Sequence, residues 1–283
     1  RYDNWHKFHN FVLDKSARIK LILDTVDIHH IRYKREVSLG LSNHSMQDVS
    51  AIEKAEMRAI QQSENVLLRS TSEIEYLKEN NINTEKLHLF PICRDIVPSN
   101  VGFEKRSGCL FIGGYLHKPN IDAVKYFLTE IFPLVRGLDP AIKFFIAGSH
   151  SDLLVNHITD FLTDERVEVV GHVANLQSEF DRVKFSIAPL RYGAGTKGKV
   201  ISSMCHGLPC IASSIAVEGL KDIKNNHHLL IEDAPSLFAK KIVELHSNAN
   251  LWRKLAKNSI KYASETSSLE TIRVCLQKML ASS

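Results

Sequence analysis

Short apolar runs bounded by glycine or proline recur through the second part of the chain. They occupy residues 109–114, 144–148, 167–171, 185–195 and 209–213. The runs are rich in β-branched and aromatic residues, which is typical of buried parallel strands. The repetition therefore predicts several parallel strands, most of which end at a glycine.

Helical patterns lie between these runs. Pro119 opens one of them, and apolar residues follow it at helical spacing, namely Ile121, Val124, Leu128, Ile131 and Val135. Asp233, just before Pro235, is predicted to be the N-cap of another helix. Because strand and helix alternate from about 107 to 247, we predict a doubly wound α/β domain, with two more helices near 249–264 and 267–281.

The first 95 residues are less regular. Strands are predicted at Ile19–Leu23, Asn65–Leu68 and Leu87–Phe90, a helix at Ser72–Asn80, and a polar, helix-favouring stretch over 31–62. We interpret the polar residues 91–106 as a linker. The predicted domains are 1–95 and 96–265, followed by a C-terminal helix at 266–283.

The composition is that of an ordinary globular protein. Of the 283 residues, 44% are hydrophobic and 24% are charged, which excludes disordered, collagen-like and coiled-coil chains. The formal net charge of +4 suits a protein that handles phosphates, but it is too small to predict nucleic-acid binding without a basic stripe. No apolar run reaches the roughly 18 residues of a membrane span.

Cysteine usage and the start of the chain say something about its setting. The five cysteines are scattered without a CxxC spacing, so we expect reduced thiols in a cytoplasmic protein. The chain opens at Arg1 without an initiator Met or a signal peptide. We therefore expect a fragment or a processed form of a longer protein.

Several glycines follow the predicted strands directly, namely Gly113, Gly148, Gly171 and Gly193. In open α/β sheets, ligands bind in the crevice at the carboxyl ends of the strands, where glycine lets the backbone approach a ligand. Each glycine alone is also explained by a tight turn. Their shared position favours a common cleft.

The segment 191–199 reads Arg-Tyr-Gly-Ala-Gly-Thr-Lys-Gly-Lys. It matches GxGxxG and GxxxxGK, but Val200 replaces the Ser or Thr of a phosphate-binding P-loop, and the loop follows about the fourth strand. A helix beginning near Gly198, with Lys197 and Lys199 at its start, predicts an anion site such as a diphosphate site. A solvated basic turn is the alternative. Glu218, in a neighbouring loop, can accept hydrogen bonds from sugar hydroxyls or lie on the surface.

These segments resemble glycosyltransferase family 4, also called group 1. The residues that carry the resemblance are 118–123, 188–199, Gly207-Leu-Pro, Glu218-Gly-Leu, 24–29 and Ser72-Glu73. The resemblance implies an α/β protein of GT-B type with two Rossmann-like domains, of which the N-terminal one is incomplete. It also implies that the C-terminal helix packs back on the N-terminal domain.

The resemblance assigns roles to individual residues. Lys197 and Lys199 are expected to bind the donor diphosphate, and Gly193, Ala194 and Gly195 to line the sugar and phosphates. Gly113, Gly114 and Glu218 are expected to be further donor contacts, and Asp27 and His29 to be catalytic residues on the acceptor side. Ser202 stands where the family carries a glutamate that binds the ribose, so we expect a weaker or altered donor contact there.

The function implied is retaining transfer of a sugar, hexosyltransferase-like, from a nucleotide sugar to an acceptor in polysaccharide or glycoconjugate synthesis. No metal or other cofactor is expected, and no nucleic acid. The location expected is cytoplasmic, with peripheral contact at the inner face of the membrane. Two alternatives stay open: a non-catalytic nucleotide-sugar-binding relative, and an NAD(P)-dependent oxidoreductase suggested only by GxGxxG.

Overall fold

A computed structural model of the chain describes residues 1–14 and 21–281. The N-terminal part contains a parallel sheet of three strands in the order β1-β2-β3. These are β1 (Ile22–Asp24), β2 (Asn65–Leu68) and β3 (Leu87–Leu89). Residues 19 and 20 of the first predicted strand lie outside the described residues, and the rest of that prediction overlaps β1.

Four helices surround this sheet: α1 (Tyr2–Leu13), α2 (His29–Ser38), α3 (Met46–Gln62) and α4 (Thr71–Glu79). The polar stretch predicted over 31–62 is thus two helices with a connection between them. Ser45 begins α3 with a capping box, because its hydroxyl accepts from the Asp48 N–H while Asp48 accepts from the Ser45 N–H. A short 3₁₀ turn, Thr84–Lys86, precedes β3.

The second sheet has six parallel strands in the order β6-β5-β4-β7-β8-β9. They are β4 (Cys109–Ile112), β5 (Phe144–Ala147), β6 (Val167–Gly171), β7 (Phe185–Ala188), β8 (Cys210–Ala212) and β9 (Leu230–Ile231). Each apolar run of the sequence contains one of the first five strands, and β9 was not predicted. The order corresponds to the 3-2-1-4-5-6 arrangement of dinucleotide-binding folds, so the chain reverses direction across the sheet between β4 and β7.

Helices cover this second sheet. They are α5 (Lys118–Tyr126), α6 (Phe132–Leu138), α7 (Ser151–Ile158), α8 (Gln177–Arg182), α9 (Gly198–Cys205), α10 (Ser214–Val217) and α11 (Pro235–Ser247). A π-helical turn, Phe127–Ile131, joins α5 to α6. The prediction that Asp233 is the N-cap of α11 is wrong. Ala234 takes that position, and the Asp233 carboxylate accepts from the Ser214 N–H instead, at 2.8 Å.

The last two helices connect the two sheets. Helix α12 (Ala249–Ser267) packs on α9, and α13 (Leu269–Ala281) contacts β3 of the first sheet. The Arg94 N–H also donates to the Ser267 carbonyl at 3.0 Å, which joins the intervening segment to the end of α12. The end of the chain therefore contacts both sheets.

Two general properties concern the sequence predictions directly. All five cysteines are free thiols. Within residues 1–14 and 21–281, no helix has the length and apolar character needed to cross a bilayer. Buried side chains form the main core around the second sheet and a smaller core around the first.

Gly148, directly after β5, shows how closely the ends of neighbouring strands approach one another. Gly148 has a φ of +146°, and a Cβ built on it would lie 1.7 Å from the Gly113 carbonyl oxygen. We expect Gly148→Ala to lower the free energy of unfolding by at least about 2 kcal/mol, because the backbone must move. Urea unfolding measures this.

Gly137, in α6, is the matched control. A Cβ built there meets no heavy atom within 4 Å. Alanine at 137 should leave stability unchanged or raise it by up to about 1 kcal/mol. Equal effects of the two substitutions would contradict the close approach at Gly148.

Candidate functional site

A cavity of about 430 Å³, here called the central cavity, lies where loops that follow β4 and β7 meet the start of α2. It brings together six of the predicted site residues, namely Asp27, His29, Gly193, Ala194, Lys197 and Lys199. This is the point where the strand order reverses, at which α/β sheets bind ligands.

Positive charge dominates the wall of the central cavity. Four of its described lining residues are Lys or Arg, namely Arg1, Arg32, Lys197 and Lys199. The single carboxylate among the described lining residues is Asp27, which is ion-paired with Arg32. The cavity is therefore electrostatically suited to an anion.

Two helices begin at the wall of the cavity. The N-cap of α5 is His117 and that of α9 is Lys197, and neither side chain makes a capping hydrogen bond. The first N–H groups of a helix have no partner within the helix, and the helix dipole makes that end positive. Both helix starts therefore add to the attraction for an anion.

Lys197 folds back onto its own loop. Its ammonium donates to the Ala194 carbonyl at 3.1 Å and also to the Gly195 carbonyl. Burial lowers the pKa of Lys197 to about 8, although the nearby Glu218 carboxylate acts in the opposite direction. The side chain is consequently held at the loop that the sequence predicted to contact donor phosphates.

Lys199 is held by residues of β4 and α5, across the point where the strand order reverses. Its ammonium donates to the Asn120 side-chain carbonyl and lies 3.9 Å from the centre of the Phe111 ring. Burial, with a smaller contribution from Lys197, lowers the pKa of Lys199 to about 7. The Asn120 amide also donates to the Gly114 carbonyl at 2.8 Å.

Asn120 therefore connects the glycine turn after β4 with the lysine loop after β7. Gly113 is required here, since a Cβ on it would lie 2.8 Å from the Asn120 side chain. Gly113 and Gly114 do not line the central cavity but position Asn120, which does. The segment 118–123 contains Asn120, but no signal in the sequence indicated this role.

Two adjacent histidines at the start of α2 point in different directions. The Glu56 carboxylate, from α3, accepts from the backbone N–H of both His29 and His30 and also contacts their Nδ1 atoms, at 3.1 and 2.7 Å. Because Nδ1 of each ring faces a carboxylate, both Nδ1 atoms are donors. His29 Nε2 lies 3.6 Å from Asp27 and its side chain lines the central cavity, whereas His30 Nε2 contacts the Tyr76 hydroxyl at 2.8 Å.

This geometry distinguishes His29 from His30, which the sequence could not do. Burial alone would raise the pKa of Glu56, but hydrogen bonds from the two histidines lower it to about 2. Glu56 thus serves as an anionic cap of α2 and fixes the orientation of His29. No local sequence signal linked Glu56 to the histidine pair.

A strained turn presents Asp27 to the cavity. Val26, just before it, has a φ of +66°, a conformation that is rare for a β-branched residue. Its N–H donates to the Asp24 carboxylate at 3.1 Å, and Arg32 pairs with Asp27. Strain of this kind occurs preferentially at functional sites.

A second cavity of about 540 Å³ lies beside the first and shares Ala194 with it. Gly195 and Glu218 line this cavity, together with Glu73 and Arg35. Arg35 binds both carboxylate oxygens of Glu218, at 2.6 and 2.7 Å, and donates to the Gly193 carbonyl at 2.6 Å. Glu218 is therefore held by a residue from the N-terminal part of the chain.

Glu73 is a buried acid that the sequence pointed to only through the Ser72-Glu73 motif. One carboxylate oxygen accepts from the Ile28 N–H at 2.9 Å, and the other makes no hydrogen bond in the described part of the chain. Burial, with help from Asp27, raises the pKa of Glu73 to about 7. Its carboxyl group is thus near the midpoint of its titration at neutral pH.

Ser202 lines neither of these two cavities. Its hydroxyl accepts from Arg94 Nε at 3.4 Å, on the side of α9 that faces the segment between the sheets. Among the described residues, no group of three or more His, Cys, Asp or Glu side chains is arranged to hold a metal ion.

Comparison with known proteins identifies the family. The model of the glycosyl transferases of group 1 matches residues 106–248, about half of the chain. The chain belongs to the group 1 glycosyl transferases. A relative from Klebsiella pneumoniae, an uncharacterized 44.6 kDa protein in the cps region, is 24% identical over 161 residues, which are 55% of this chain and 41% of that protein.

Solved structures share the fold of this group 1 chain. TarM from S. aureus, in complex with UDP among other ligands, has a TM-score of 0.68 and 21% identity, over 84% of this chain and 48% of that one. HepE from Anabaena, in complex with UDP and glucose, has a TM-score of 0.72 and 14% identity, over 94% and 73%. Sucrose-phosphate synthase from Thermosynechococcus elongatus has a TM-score of 0.75 and 14% identity, over 96% and 70%.

These neighbours are GT-B glycosyltransferases, which confirms the predicted α/β fold of GT-B type with Rossmann-like domains. At these levels of identity the likeness concerns the fold alone. The chain spans less than half the length of the cps-region protein and of TarM.

The histidine pair generates a stability prediction for this group 1 chain. The pKa of Glu56 is about 2 in the folded chain, against an ordinary value of 4.5. The carboxylate should contribute about 3 kcal/mol above pH 4.5, and this contribution is lost as the pH falls towards 2. We expect Glu56→Gln to lower the free energy of unfolding by about this amount at pH 7.

Urea unfolding at pH 7 and at pH 3 measures the effect. The difference between wild type and Glu56→Gln should be smaller at pH 3, because Glu56 is already protonated in the unfolded chain at this pH and part of the contribution of the carboxylate is lost. Glu75→Gln, at an exposed position of α4, is the control and should change stability by less than about 0.5 kcal/mol. A difference that does not depend on pH would contradict the role of the charged carboxylate.

Proposed function

We propose that the chain binds a nucleotide-diphosphate sugar in the central cavity and transfers the sugar to an acceptor. The reaction we propose is a hexosyl transfer with retention of configuration, in the synthesis of polysaccharide or glycoconjugate. The observation that carries the proposal is the joint presence, at the reversal of the strand order, of four cationic side chains and two uncapped helix starts. The cytoplasmic location and a peripheral membrane contact stay predictions.

The diphosphate is the part of the donor that this wall suits best. In the proposed complex, Lys197 and Lys199 turn their ammonium groups from the Ala194 carbonyl and the Asn120 side chain towards the phosphates. Cationic groups placed at the leaving phosphate stabilise the charge that develops as the glycosidic bond breaks. The backbone of Gly193–Gly195 lies next to this position.

His29 supports an acceptor on the opposite side of the cavity. Its Nδ1 contacts Glu56, and its Nε2 lies 3.6 Å from Asp27 at the wall of the cavity. The Nε2 edge of the ring, together with Asp27, can form hydrogen bonds with an acceptor hydroxyl and orient it. We propose Asp27 and His29 as the residues that position the acceptor.

The comparisons support this class of donor without fixing the sugar. TarM and HepE were crystallised with UDP, and HepE also with glucose. The cps-region relative adds support for polysaccharide synthesis. Family membership over residues 106–248 supports glycosyl transfer as the activity.

Two observations favour a second candidate, a relative that binds a nucleotide sugar but does not transfer it. Glu218 is occupied by Arg35, and Ser202 lies outside both cavities. Release of free sugar from bound nucleotide sugar, followed by chromatography, separates the candidates. Turnover supports the transferase, and binding without turnover with any acceptor extract supports the relative.

The proposed diphosphate contact predicts the effect of removing each lysine. Lys199→Ala, and to a lesser degree Lys197→Ala, should weaken nucleotide-sugar binding tenfold or more, since a charge-assisted hydrogen bond contributes about 1.5–3 kcal/mol. Isothermal titration with UDP-, GDP- and ADP-sugars measures the affinity. Thermal unfolding shows whether the variants remain folded.

Lys125→Ala is the matched control, because Lys125 is exposed on α5 and lines none of the cavities described. Its affinity for the nucleotide sugar should equal that of wild type. Equal affinity in wild type and both cavity variants would contradict the proposal that the two lysines bind the donor phosphates. Binding of NAD(P) in place of any nucleotide sugar would overturn the proposed function.

A further inference from the structure

His117 occupies a defined place at the mouth of the central cavity. It is the N-cap of α5, where its backbone N–H donates to the Gly114 carbonyl at 3.2 Å and its carbonyl accepts from the Asn120 N–H at 2.9 Å. The imidazole lines the cavity and makes no hydrogen bond within the described part of the chain. Its backbone is thus fixed, while both ring nitrogens remain available to a ligand.

The surroundings of the ring are cationic. On its own helix, Lys118 contacts Glu36 at 3.5 Å, and Asp122 is paired with Arg191. Charged and titratable groups also face the cavity from the other elements. Those described are Arg1 before α1, Asp27, His29 and Arg32 at α2, Tyr192 in the loop after β7, and Lys197 and Lys199 at α9. Among the described residues that line the cavity, Asp27 is the one carboxylate, and its pairing with Arg32 keeps it from balancing a charge on His117.

We propose that His117 is a further ligand of the donor phosphates and that it binds them as the imidazolium, so that donor binding is coupled to the uptake of a proton. This inference rests on the proposed function, because it places the phosphates in the central cavity. His117 at the start of α5 lines the same cavity as the lysines at the start of α9, so the ring adds a donor from a second helix.

The electrostatics of the cavity give the proposal its direction. Desolvation of the ring, together with the positive charges of Arg32, Lys199 and Lys197, lowers the pKa of His117 to about 4, although the residue keeps contact with solvent at the mouth of the cavity. An imidazole in this environment is neutral at pH 6 in the protein alone. A bound diphosphate reverses the sign of the local field and so raises the pKa of the ring.

The sign of the pH dependence follows from linkage. When binding takes up a proton, affinity rises as the pH falls, by about tenfold per pH unit for one full proton. The lysines make the choice of pH important, because the pKa values of Lys197 and Lys199 are about 8 and about 7. At pH 6 both are mostly charged already, so that proton uptake at this pH reports chiefly on His117.

Isothermal titration at pH 6, in two buffers with different ionisation enthalpies, counts the protons taken up. The probes are UDP-glucose, GDP-mannose and ADP-glucose, whose diphosphate diesters do not titrate near this pH. We expect wild type to take up about 0.5–1 proton per bound nucleotide sugar. His117→Gln, which keeps a neutral polar side chain, should take up almost none.

The pH profile of the affinity gives a second readout. Between pH 7 and pH 5.5 the affinity of wild type should rise at least fivefold more than that of His117→Gln, while the two should be similar at pH 7.5. His157→Gln, at an exposed position of α7, is the matched control and should behave as wild type. Thermal unfolding confirms that each variant is folded.

The outcomes distinguish the role of His117 from the proposed function itself. A smaller proton number and a flatter pH profile in His117→Gln support the phosphate ligand. Equal proton numbers and equal profiles in wild type and His117→Gln overturn it and leave the proposed function intact. If wild type binds none of the nucleotide sugars, the proposed function itself fails.

Discussion

The accumulation of positive charge around one cavity is the constraint on which the rest of the site depends. Lys197 is the N-cap of α9, where a cation opposes the helix dipole, and Lys199 follows within the first turn. The structure tolerates this because the ammonium groups donate to backbone carbonyls and to Asn120. Burial lowers the pKa of both lysines, which reduces the charge that must be balanced. A bound polyanion would lower the electrostatic repulsion more completely, since it would balance the charge of both lysines and both helix starts at once.

Helix α2 begins at the same cavity, but its first N–H groups are capped by acidic side chains. Glu56 accepts from the N–H groups of His29 and His30, and Glu73 accepts from that of Ile28. The positive end of α2 is therefore already balanced, chiefly by the Glu56 carboxylate. What α2 presents to the cavity is the Nε2 edge of His29, beside Asp27. Capping by buried acids thus gives the cavity two different sides, one with lysines and uncapped helix starts and one with His29 and Asp27.

Local patterns were enough to predict five of the six strands of the second sheet and the lysine loop. Each apolar run contains one parallel strand, and Gly198 with its flanking lysines begins a helix as expected. The partners that orient the side chains could not be predicted, because they are remote in the sequence. Glu56 lies 26 residues from His30, Asn120 lies 79 from Lys199, and Arg35 lies 183 from Glu218. Only the packing of the elements brings these pairs together, and no periodicity records it.

Arg35 shows that the 193–195 loop is shaped by both parts of the chain. Its side chain extends from α2, and the guanidinium binds both carboxylate oxygens of Glu218 and donates to the Gly193 carbonyl. Such a bidentate pair orients both partners more strictly than a single contact. The carboxylate of Glu218 can turn to a donor hydroxyl only if Arg35 releases it or shares it, and release also frees the carbonyl of Gly193. The conformation of the 193–195 loop is therefore linked to the position of α2 relative to the second sheet, and that position also sets where His29 stands.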